Sequence, residues 1–547
     1  MAFTHPVYEY RRAPELAGQG EHRGAIVVGA GPVGLTTAID LAQRGVAVLV
    51  LDDDDTVSVG SRAICYSKRT LEILDRLGCG EAIAAQGVSW QVGKVYQGDT
   101  LAYHFDLLPD SGHRRPAFVN LQQYYLEAAL VERAQALRNV ELRWRHQVVA
   151  VAQDDARVTV GVDTADGRYD LTCDWLVVCD GARSPVRRML GLDFEGQVFR
   201  DRFLIADIRM TSDFPAERRF WFNPPFHPEH SVLLHRQPDN VWRVDFQLGW
   251  DADPEAEKQP ERIVPRLRAM LGGQAQFTLE WASVYTFQCR RMRRFRHGRL
   301  LFAGDAAHLV SPFGARGANS GIQDAENVAW KLALVLRGDA SSALLDSYDA
   351  ERVAAADENL AASTRATDFI TPKSAVSRVF RDAVLALARR HPFARTLVNS
   401  GRLSVPAVHR DSPLNTPDTE VFEGALVPGA VAADAPVAGP HGHWLLPCLG
   451  GDFTLLAFGD AVTTTDACAL AQGAVPCRVV RVGGARPDAL VDRDGLVAAR
   501  YDGRDGTCYL VRPDQHVCAR WRAFDLARVQ EALARATARL VAPTPVR

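Results

Sequence analysis

Residues 25–28 are a short apolar, largely β-branched run that leads directly into a glycine-rich turn. The glycines of that turn have the spacing G-x-G-x-x-G: Gly29, Gly31 and Gly34. A helical pattern follows over residues 32–44, and a second apolar run over residues 46–51 ends on Asp52. A strand, a glycine turn, a helix and a second strand in this order predict a βαβ unit with parallel strands.

This turn has the residue types that a dinucleotide needs. Gly29 permits the tight turn, Gly31 lets the backbone approach a pyrophosphate, and Gly34 lets the helix pack against the strand. The helix N-terminus presents free N–H groups and the positive end of its dipole to the phosphates. Asp52 lies where an acid accepts hydrogen bonds from ribose hydroxyls. A purely structural turn is the alternative, and the three glycines at this spacing argue against it.

A second glycine-rich segment, residues 304–324, also follows a buried strand pattern. Asp305 lies at the end of that strand, where it can accept hydrogen bonds from a ligand hydroxyl. The backbone N–H groups around Gly317, Ala318 and Asn319 open a helix and can face the electron-rich edge of a ring. We therefore expect the two glycine segments to bind one extended ligand.

Composition excludes several classes of function. The chain has 547 residues and a formal net charge of −3, so no basic excess exists to bind nucleic acid. No apolar run is long enough to span a membrane, and residues 1–24 lack the apolar core of a secretory signal. The ten cysteines form no CxxC pair and no metal-ligand spacing, which favours reduced thiols in a cytoplasmic protein without a metal site. Hydrolase and phosphoryl-transfer motifs are absent from the sequence.

These segments together resemble the FAD-dependent aromatic hydroxylases, the single-component flavoprotein monooxygenases. A third matching segment is D-G-A-R-S-P-V-R, which starts at Asp180. The resemblance covers about residues 24–400. It implies that the first turn binds the ADP half of FAD, that Asp180 contributes to FAD and NAD(P)H binding, and that Asp305 binds the ribityl chain. It also places Arg62 and Gln123 against FAD.

The resemblance implies an α/β fold with a Rossmann-like FAD-binding domain in two parts, residues 24–190 and 299–402. An antiparallel-sheet substrate domain, residues 191–298, is inserted between them. Residues 403–440 form a linker, and residues 441–547 resemble a thioredoxin-like C-terminal domain. Because that tail has no CxxC pair, we expect it to have a structural or dimer-forming role in a homodimer.

The implied reaction is hydroxylation of a phenolic ring, in a hydroxylated aromatic acid, with NADH or NADPH and O2 through a flavin C4a-hydroperoxide. The layout is most similar to the 3-(3-hydroxyphenyl)propionate hydroxylases. Aromatic polyketide hydroxylation is the alternative within the family. Two alternatives come from other classes of function. One is a flavin oxidase or dehydrogenase that uses no NAD(P)H, and the other is a flavin-binding protein without turnover.

The loop and the middle segment supply the candidate reactive residues. Arg316, a cation near the flavin, would favour an anionic reduced flavin or an anionic substrate, unless it points to solvent or pairs with Asp324. The carbonyl of Pro312 is expected beside the transfer site. His308 is either a proton carrier or, as we favour, a residue fixed by loop hydrogen bonds. The candidate substrate-binding residues are the following: His235, Arg243 and Tyr285.

Overall fold

The computed structural model describes residues 3–398, 403–440 and 442–539. The strands of the first segment are β1 (Arg23–Val28), β2 (Val48–Asp52), β3 (Cys65–Ser67), β4 (Val88–Trp90), β5 (Val92–Gln97), β6 (Thr100–Asp106), β7 (Phe118–Asn120), β8 (Val140–Trp144), β9 (Gln147–Gln153), β10 (Val158–Thr164) and β11 (Gly167–Val178). The helices of this segment are α1 (Pro32–Gln43), α2 (Lys68–Leu77), α3 (Gly80–Gln86), α4 (Gln123–Gln135) and α5 (Pro185–Met189).

The middle segment is mainly β-structure. Its strands are β12 (Phe194–Arg209), β13 (Arg218–Phe222), β14 (Ser231–Arg236), β15 (Val241–Leu248), β16 (Thr278–Met292) and β17 (Arg296–His297), and its helices are α6 (Pro254–Glu257) and α7 (Pro260–Leu271). The elements that follow are β18 (Leu300–Phe302), β19 (His308–Leu309), α8 (Gly317–Leu336), α9 (Asp346–Ile370), α10 (Ala375–Ala388) and α11 (Pro392–Val398).

The C-terminal segment alternates strands and helices. Its strands are β20 (Pro436–Gly439), β21 (Gly442–Trp444), β22 (Phe453–Phe458), β23 (Cys477–Val482), β24 (Cys508–Val511) and β25 (Val517–Trp521). Its helices are α12 (Thr464–Ala471), α13 (Leu496–Tyr501) and α14 (Leu526–Ala536).

A largely parallel sheet forms the first layer, with the strand order β17-β18-β11-β1-β2-β8. Strand β1 lies between β2 and β11 and runs parallel to both, as the βαβ pattern predicts. Its residues Ile26 and Val27 are fully buried because helices cover the sheet, with α1 packed against α8. The parallel sheet therefore delivers the glycine turn, Asp52 and the residues after β11 and β18 to one edge.

An antiparallel sheet forms the second layer, with the order β19-β16-β12-β15-β14-β13-β5-β6. Its outer face packs on α7 through the buried side chains of Ile263 and Leu267. The sheet is not built from residues 191–298 alone, because β5 from the first segment pairs in parallel with β13, and β6 pairs with β5. The inner face of this sheet is turned towards the edge of the parallel sheet.

The tail contains a four-stranded sheet with the order β23-β22-β24-β25. Strand β22 is parallel to β23 and antiparallel to β24, and helices α12 and α14 pack together on it. This βαβ unit followed by a hairpin and a helix is the predicted thioredoxin-like arrangement. The mixed α/β fold class, with a Rossmann-like layer and an antiparallel layer, is thus confirmed, whereas the exact domain boundaries stay predictions.

A buried network of charges, here called the tail anchor, joins the tail to α8 and α9. It consists of Lys331, Glu351, Arg512, Asp514 and Trp330. Arg512 donates to Glu351 over 2.6 Å and also to Asp514, while Lys331 donates to Glu351 over 2.8 Å. Although burial opposes ionisation, Arg512 holds the pKa of both carboxyl groups well below their usual range. The tail is therefore fixed to the nucleotide-binding layer by fully desolvated ion pairs.

We predict that Arg512→Met destabilises the protein strongly. The substitution leaves Glu351 and Asp514 buried with one fewer cation, which costs about 3–5 kcal/mol. The measurement is the thermal unfolding midpoint of the FAD-loaded protein. Arg504→Met is the control, because Arg504 is 70% exposed beside Asp502 and such pairs contribute about 0–1 kcal/mol. Equal midpoints for the two variants would contradict the role of the tail anchor.

Candidate functional site

The glycine turn between β1 and α1 leaves space at one position only. Gly29 has a φ of +100°, and a Cβ at Gly34 would lie 1.9 Å from the carbonyl oxygen of Gly29. At Gly31, in contrast, a Cβ would meet no protein atom within 4 Å. Gly29 and Gly34 are required by the packing of the protein itself, whereas the backbone at Gly31 is open to a ligand, as pyrophosphate binding requires.

Asp52 supports this turn from the end of β2. One carboxylate oxygen accepts from the N–H of Ala30 over 2.5 Å, and the other accepts from the N–H of Asp54 over 2.8 Å. Burial raises the pKa of Asp52 to about 6. Asp52 thus fixes the conformation of the turn through backbone hydrogen bonds, and its contact with a ribose stays a prediction.

Asp180 lies directly after β11, beside the glycine turn. One of its oxygens accepts from the N–H of Val186 over 3.1 Å, and Ser184 caps α5 by accepting from the N–H of Arg187. The other oxygen, Oδ1, is buried and has no hydrogen-bond partner among the described residues, and burial raises the pKa of Asp180. Unsatisfied buried acceptors are rare in folded proteins, so this oxygen fits a site that a ligand hydroxyl completes.

Asp305 and Tyr285 lie in one cleft between the two sheets. Both side chains are exposed, and yet the protein around Asp305 is extensive enough to raise its pKa by desolvation. Burial, with a contribution from Asp305, also raises the pKa of Tyr285 to about 12. Side chains that reach solvent and are nevertheless surrounded by protein lie in a deep cleft. Asp305 makes no hydrogen bond to the described residues, so its carboxylate is available to a ligand there.

Helix α8 begins beside this cleft at Gly317. The N–H groups of its first turn, which include those of Ala318 and Asn319, have no acceptor within the helix. The side chain of Asn319 is itself buried: it accepts from the N–H of Ser67 over 2.9 Å and donates to the carbonyl of Cys65 over 2.8 Å. Asn319 thus fixes α8 to β3, and only its backbone suits the predicted contact with the ring edge.

The loop of residues 58–63, here called the arginine loop, carries Arg62. Gln123 accepts from the N–H of Ala63 over 3.0 Å and donates to Glu127 over 2.7 Å. Glu127 in turn accepts from the N–H of Ser58 over 2.6 Å. Gln123 therefore holds the loop rather than pointing freely into the cleft, and the exposed Arg62 contributes an electrostatic attraction to Asp305.

The predicted substrate-binding residues share the inner face of the antiparallel sheet. His235 pairs directly with Arg243 across β14 and β15. Arg243 is buried and donates to the carbonyls of Ser61 and Arg62 over 2.7 and 2.9 Å. His235 is buried as well, whereas Tyr285 is 41% exposed in the cleft. Of the three, only Tyr285 is exposed to the cleft, whereas the other two are enclosed where the sheet meets the arginine loop. Their contact with a substrate stays a prediction.

The loop before α8 is fixed by internal hydrogen bonds. His308 is buried and shares a 2.6 Å hydrogen bond with Asp324, which also accepts from Arg352. This geometry favours the interpretation of His308 as a residue that fixes the loop. The carbonyl of Pro312 accepts from the N–H of Ala315 over 3.1 Å. A proton-carrying role for His308 and a transfer-site role for Pro312 stay predictions.

Arg316 is buried, so it does not point to solvent. Its guanidinium lies over Gly314 and donates to the carbonyl of Phe313 over 3.1 Å. The carboxylate of Asp324, the other partner considered for Arg316, is bound by His308 and Arg352 at distances of 2.6 Å. Arg316 instead lines a cavity beside the loop.

That cavity is the feature that the sequence did not reveal. Its empty volume is ≈ 830 Å³ with the open solvent at its mouth included, and it lies between β5, β6, β13, α9 and the loop before α8. Its aromatic walls are Tyr103, Phe105, Phe220, Phe222 and Phe313. A row of packed rings lies between it and the cleft, since Phe287 lies 5.6 Å from Tyr285 and 5.0 Å from Phe313 between ring centroids. The alternation of Arg218, Phe220 and Phe222 was the available sequence signal.

Comparisons with known proteins agree with this geometry. Residues 23–363 match the family model described as FAD binding domain. The 3-(3-hydroxy-phenyl)propionate/3-hydroxycinnamic acid hydroxylase of Mycolicibacterium smegmatis is 30% identical over 391 residues, which are 70% of this chain and 68% of that protein. The para-nitrophenol 4-monooxygenase of a Pseudomonas species is 32% identical over 338 residues, 60% of this chain and 82% of that protein.

Two solved structures extend the likeness to the tail. The flavin-dependent monooxygenase PieE, in complex with FAD and substrate, superposes with a TM-score of 0.82 at 23% identity and covers 95% of this chain and 100% of its own. Aklavinone-11 hydroxylase, in a ternary complex with FAD and aklavinone, gives a TM-score of 0.74 at 25% identity, with 95% and 100% coverage.

We predict that two alanine substitutions in the glycine turn affect different properties, one the affinity for FAD and the other the stability of the apoprotein. Gly31→Ala places a methyl group where only a ligand approaches, so the FAD dissociation constant rises by about tenfold or more while the melting temperature of the apoprotein is unchanged. Gly34→Ala forces the turn and α1 apart and lowers apoprotein stability by about 1–3 kcal/mol. FAD titration and apoprotein melting check both. If Gly31→Ala leaves FAD affinity unchanged, the turn does not bind the pyrophosphate.

Proposed function

This chain belongs to the FAD binding domain family, and on that premise we propose that it is an FAD-dependent monooxygenase that hydroxylates a phenolic ring with NADH or NADPH and O2. The observation that carries the proposal is the cleft between the two sheets. One wall has the open glycine turn and the free carboxylate of Asp305, and the other has Tyr285. This arrangement would bring a nucleotide cofactor and an aromatic ring to the same place.

The residues present fit FAD at its pyrophosphate, its ribityl chain and the edge of its ring. The backbone at Gly31 would hold the pyrophosphate, and the carboxylate of Asp305 would accept hydrogen bonds from the ribityl hydroxyls. When bound, FAD supplies the chemistry that activates dioxygen with electrons from NAD(P)H. The N-terminus of α8 would stabilise negative charge at the ring edge, because its first N–H groups have no acceptor within the helix.

The aromatic walls of the cavity determine what can enter. Phe220, Phe222 and Phe313 offer flat apolar surfaces to a ring, and they exclude the water that would divert the reaction. We propose a hydroxylated aromatic acid as the substrate, in line with the names of the relatives, 3-(3-hydroxy-phenyl)propionate/3-hydroxycinnamic acid hydroxylases.

The test of this function follows NADH and NADPH loss together with oxygen uptake by the purified FAD-loaded protein, against a panel of phenolic acids and neutral phenols. We expect consumption to depend on the phenol and the product mass to rise by one oxygen atom. Oxygen uptake without NAD(P)H would instead identify an oxidase. Hydrogen peroxide as the only product with every phenol would contradict hydroxylation. Turnover with polyketides alone would favour the polyketide alternative.

We further propose that the protein works in the cytoplasm as a homodimer. No helix within the described ranges is long and apolar enough to cross a membrane, and the cytoplasm keeps thiols such as Cys179 reduced. Helices α10 and α11 expose Val376, Val379, Phe380 and Phe393, with exposed fractions of 57% to 80%. A cluster of exposed large apolar side chains on neighbouring helices is a candidate surface for a second copy.

We predict that Phe380→Glu converts the dimer into a monomer, because it places a charge in the apolar surface of α10. Size-exclusion chromatography with light scattering gives the mass of each form. Val421→Glu is the control, because Val421 is 87% exposed elsewhere in the chain and its substitution should leave the mass unchanged. A monomeric wild-type protein would contradict the dimer.

A further inference from the structure

Arg218 is a buried cation without a hydrogen-bond or ion-pair partner in the described part of the chain. Its side chain is 8% exposed, and it makes no hydrogen bond or ion pair with the residues that the structure describes. Burial accordingly lowers the pKa of its guanidinium. An arginine carries five donors and stays charged in proteins, so a buried and unpaired one is energetically costly. Such a residue is retained where a ligand supplies the missing charge.

The neighbouring residues of Arg218 do not supply the missing negative charge. Asp245 attracts the guanidinium at a distance but is bound by Arg243 over 2.8 Å. Burial raises the pKa of Cys65 to about 11, so its thiol is neutral at pH 7. The next residue on the strand, Arg219, points to the other face of the sheet and pairs with Glu217 over 2.7 Å.

Arg218 lines the aromatic cavity, whose charges are all of one sign. The cations of its lining are Lys94, Arg218, Arg316 and Arg365, and its described lining contains no aspartate or glutamate. Lys94 stands opposite Arg219 on β5, so its side chain lies on the other face of the sheet, where it pairs with Glu217 over 2.9 Å. Arg316 donates to the carbonyl of Phe313. The cavity is thus complementary to an anion, and Arg218 is the buried cation of its lining for which the described residues supply no hydrogen bond or ion pair.

We propose that Arg218 binds the carboxylate of the substrate and thereby makes the protein specific for aromatic acids. The inference rests on the proposed function and names the group that selects the substrate. A carboxylate matches the guanidinium with two parallel hydrogen bonds, which a neutral amide cannot form. The ring then lies along Phe220, Phe222 and Phe313, beside the row of packed aromatic side chains that ends at Tyr285 in the cleft.

The test uses the oxidised FAD-loaded protein and follows binding through the flavin absorbance, so it does not depend on turnover. The probes are 3-(3-hydroxyphenyl)propionate and its primary amide. We expect the wild type to bind the acid about 10- to 100-fold more tightly than the amide, the range of a charge-assisted hydrogen bond. Arg218→Met removes the preference by weakening binding of the acid alone, and Arg218→Lys retains part of it.

Arg219→Met is the matched control, because Arg219 lies on the opposite face of β13 and pairs with Glu217. It should keep the full preference for the acid. The melting temperature separates a ligand-binding from a structural role: Arg218→Met should melt at the wild-type temperature or above, since it removes an unpaired buried charge. A fall in melting temperature with the acid preference intact would identify Arg218 as structural.

Either of two further results overturns the proposal: no binding of the acid by the wild type, or an unchanged preference in Arg218→Met. Both leave the proposed function testable, because hydroxylation of neutral phenols would still be seen in the assay of NAD(P)H loss. Conversely, selective binding of the acid without any hydroxylation would retain the role of Arg218 and refute the monooxygenase.

Discussion

The hydrogen bonds from Arg243 to the carbonyls of Ser61 and Arg62 join the two layers of this protein. They tie the inner face of the antiparallel sheet to the arginine loop, and Asp245 compensates the buried charge over 2.8 Å. Both carbonyls lie in a loop without regular structure, so they have no strand or helix partner to satisfy them. The position of Arg62 in the cleft, and the width of the cleft itself, depend on this contact.

The local parts of the site could be predicted from the sequence, because their geometry is set by neighbouring residues. The turn at Gly29, Gly31 and Gly34 and the position of Asp305 after a buried strand are of this kind. The βαβ unit followed from the same reasoning, since strand and helix patterns are read over short windows, whereas the full fold class came from the family resemblance.

Residues on the antiparallel sheet were harder to interpret, because strand alternation gives the face of a side chain but not its partner. His235 and Arg243 do lie on the inner face, yet the arginine loop, some 180 residues earlier, uses the donors of Arg243. Arg218 was not identified from the sequence, because its significance is that it is buried and unpaired among the described residues. Only the folded structure shows which residues surround it. The recruitment of β5 and β6 into this sheet is likewise a long-range event.

Gly60 limits the distance between the arginine loop and the antiparallel sheet, and this affects how the substrate range of related proteins can change. A Cβ at this position would lie 2.2 Å from the ring of Trp281, so the arginine loop and the antiparallel sheet touch here with no space to spare. A larger residue at position 60 would push the two layers apart without altering any side chain that lines the cavity. The thickness of the molecules that the enzyme accepts can therefore change through a single position remote from the aromatic walls. A comparison of related sequences that considers only the residues of those walls would underestimate how much their substrate ranges differ.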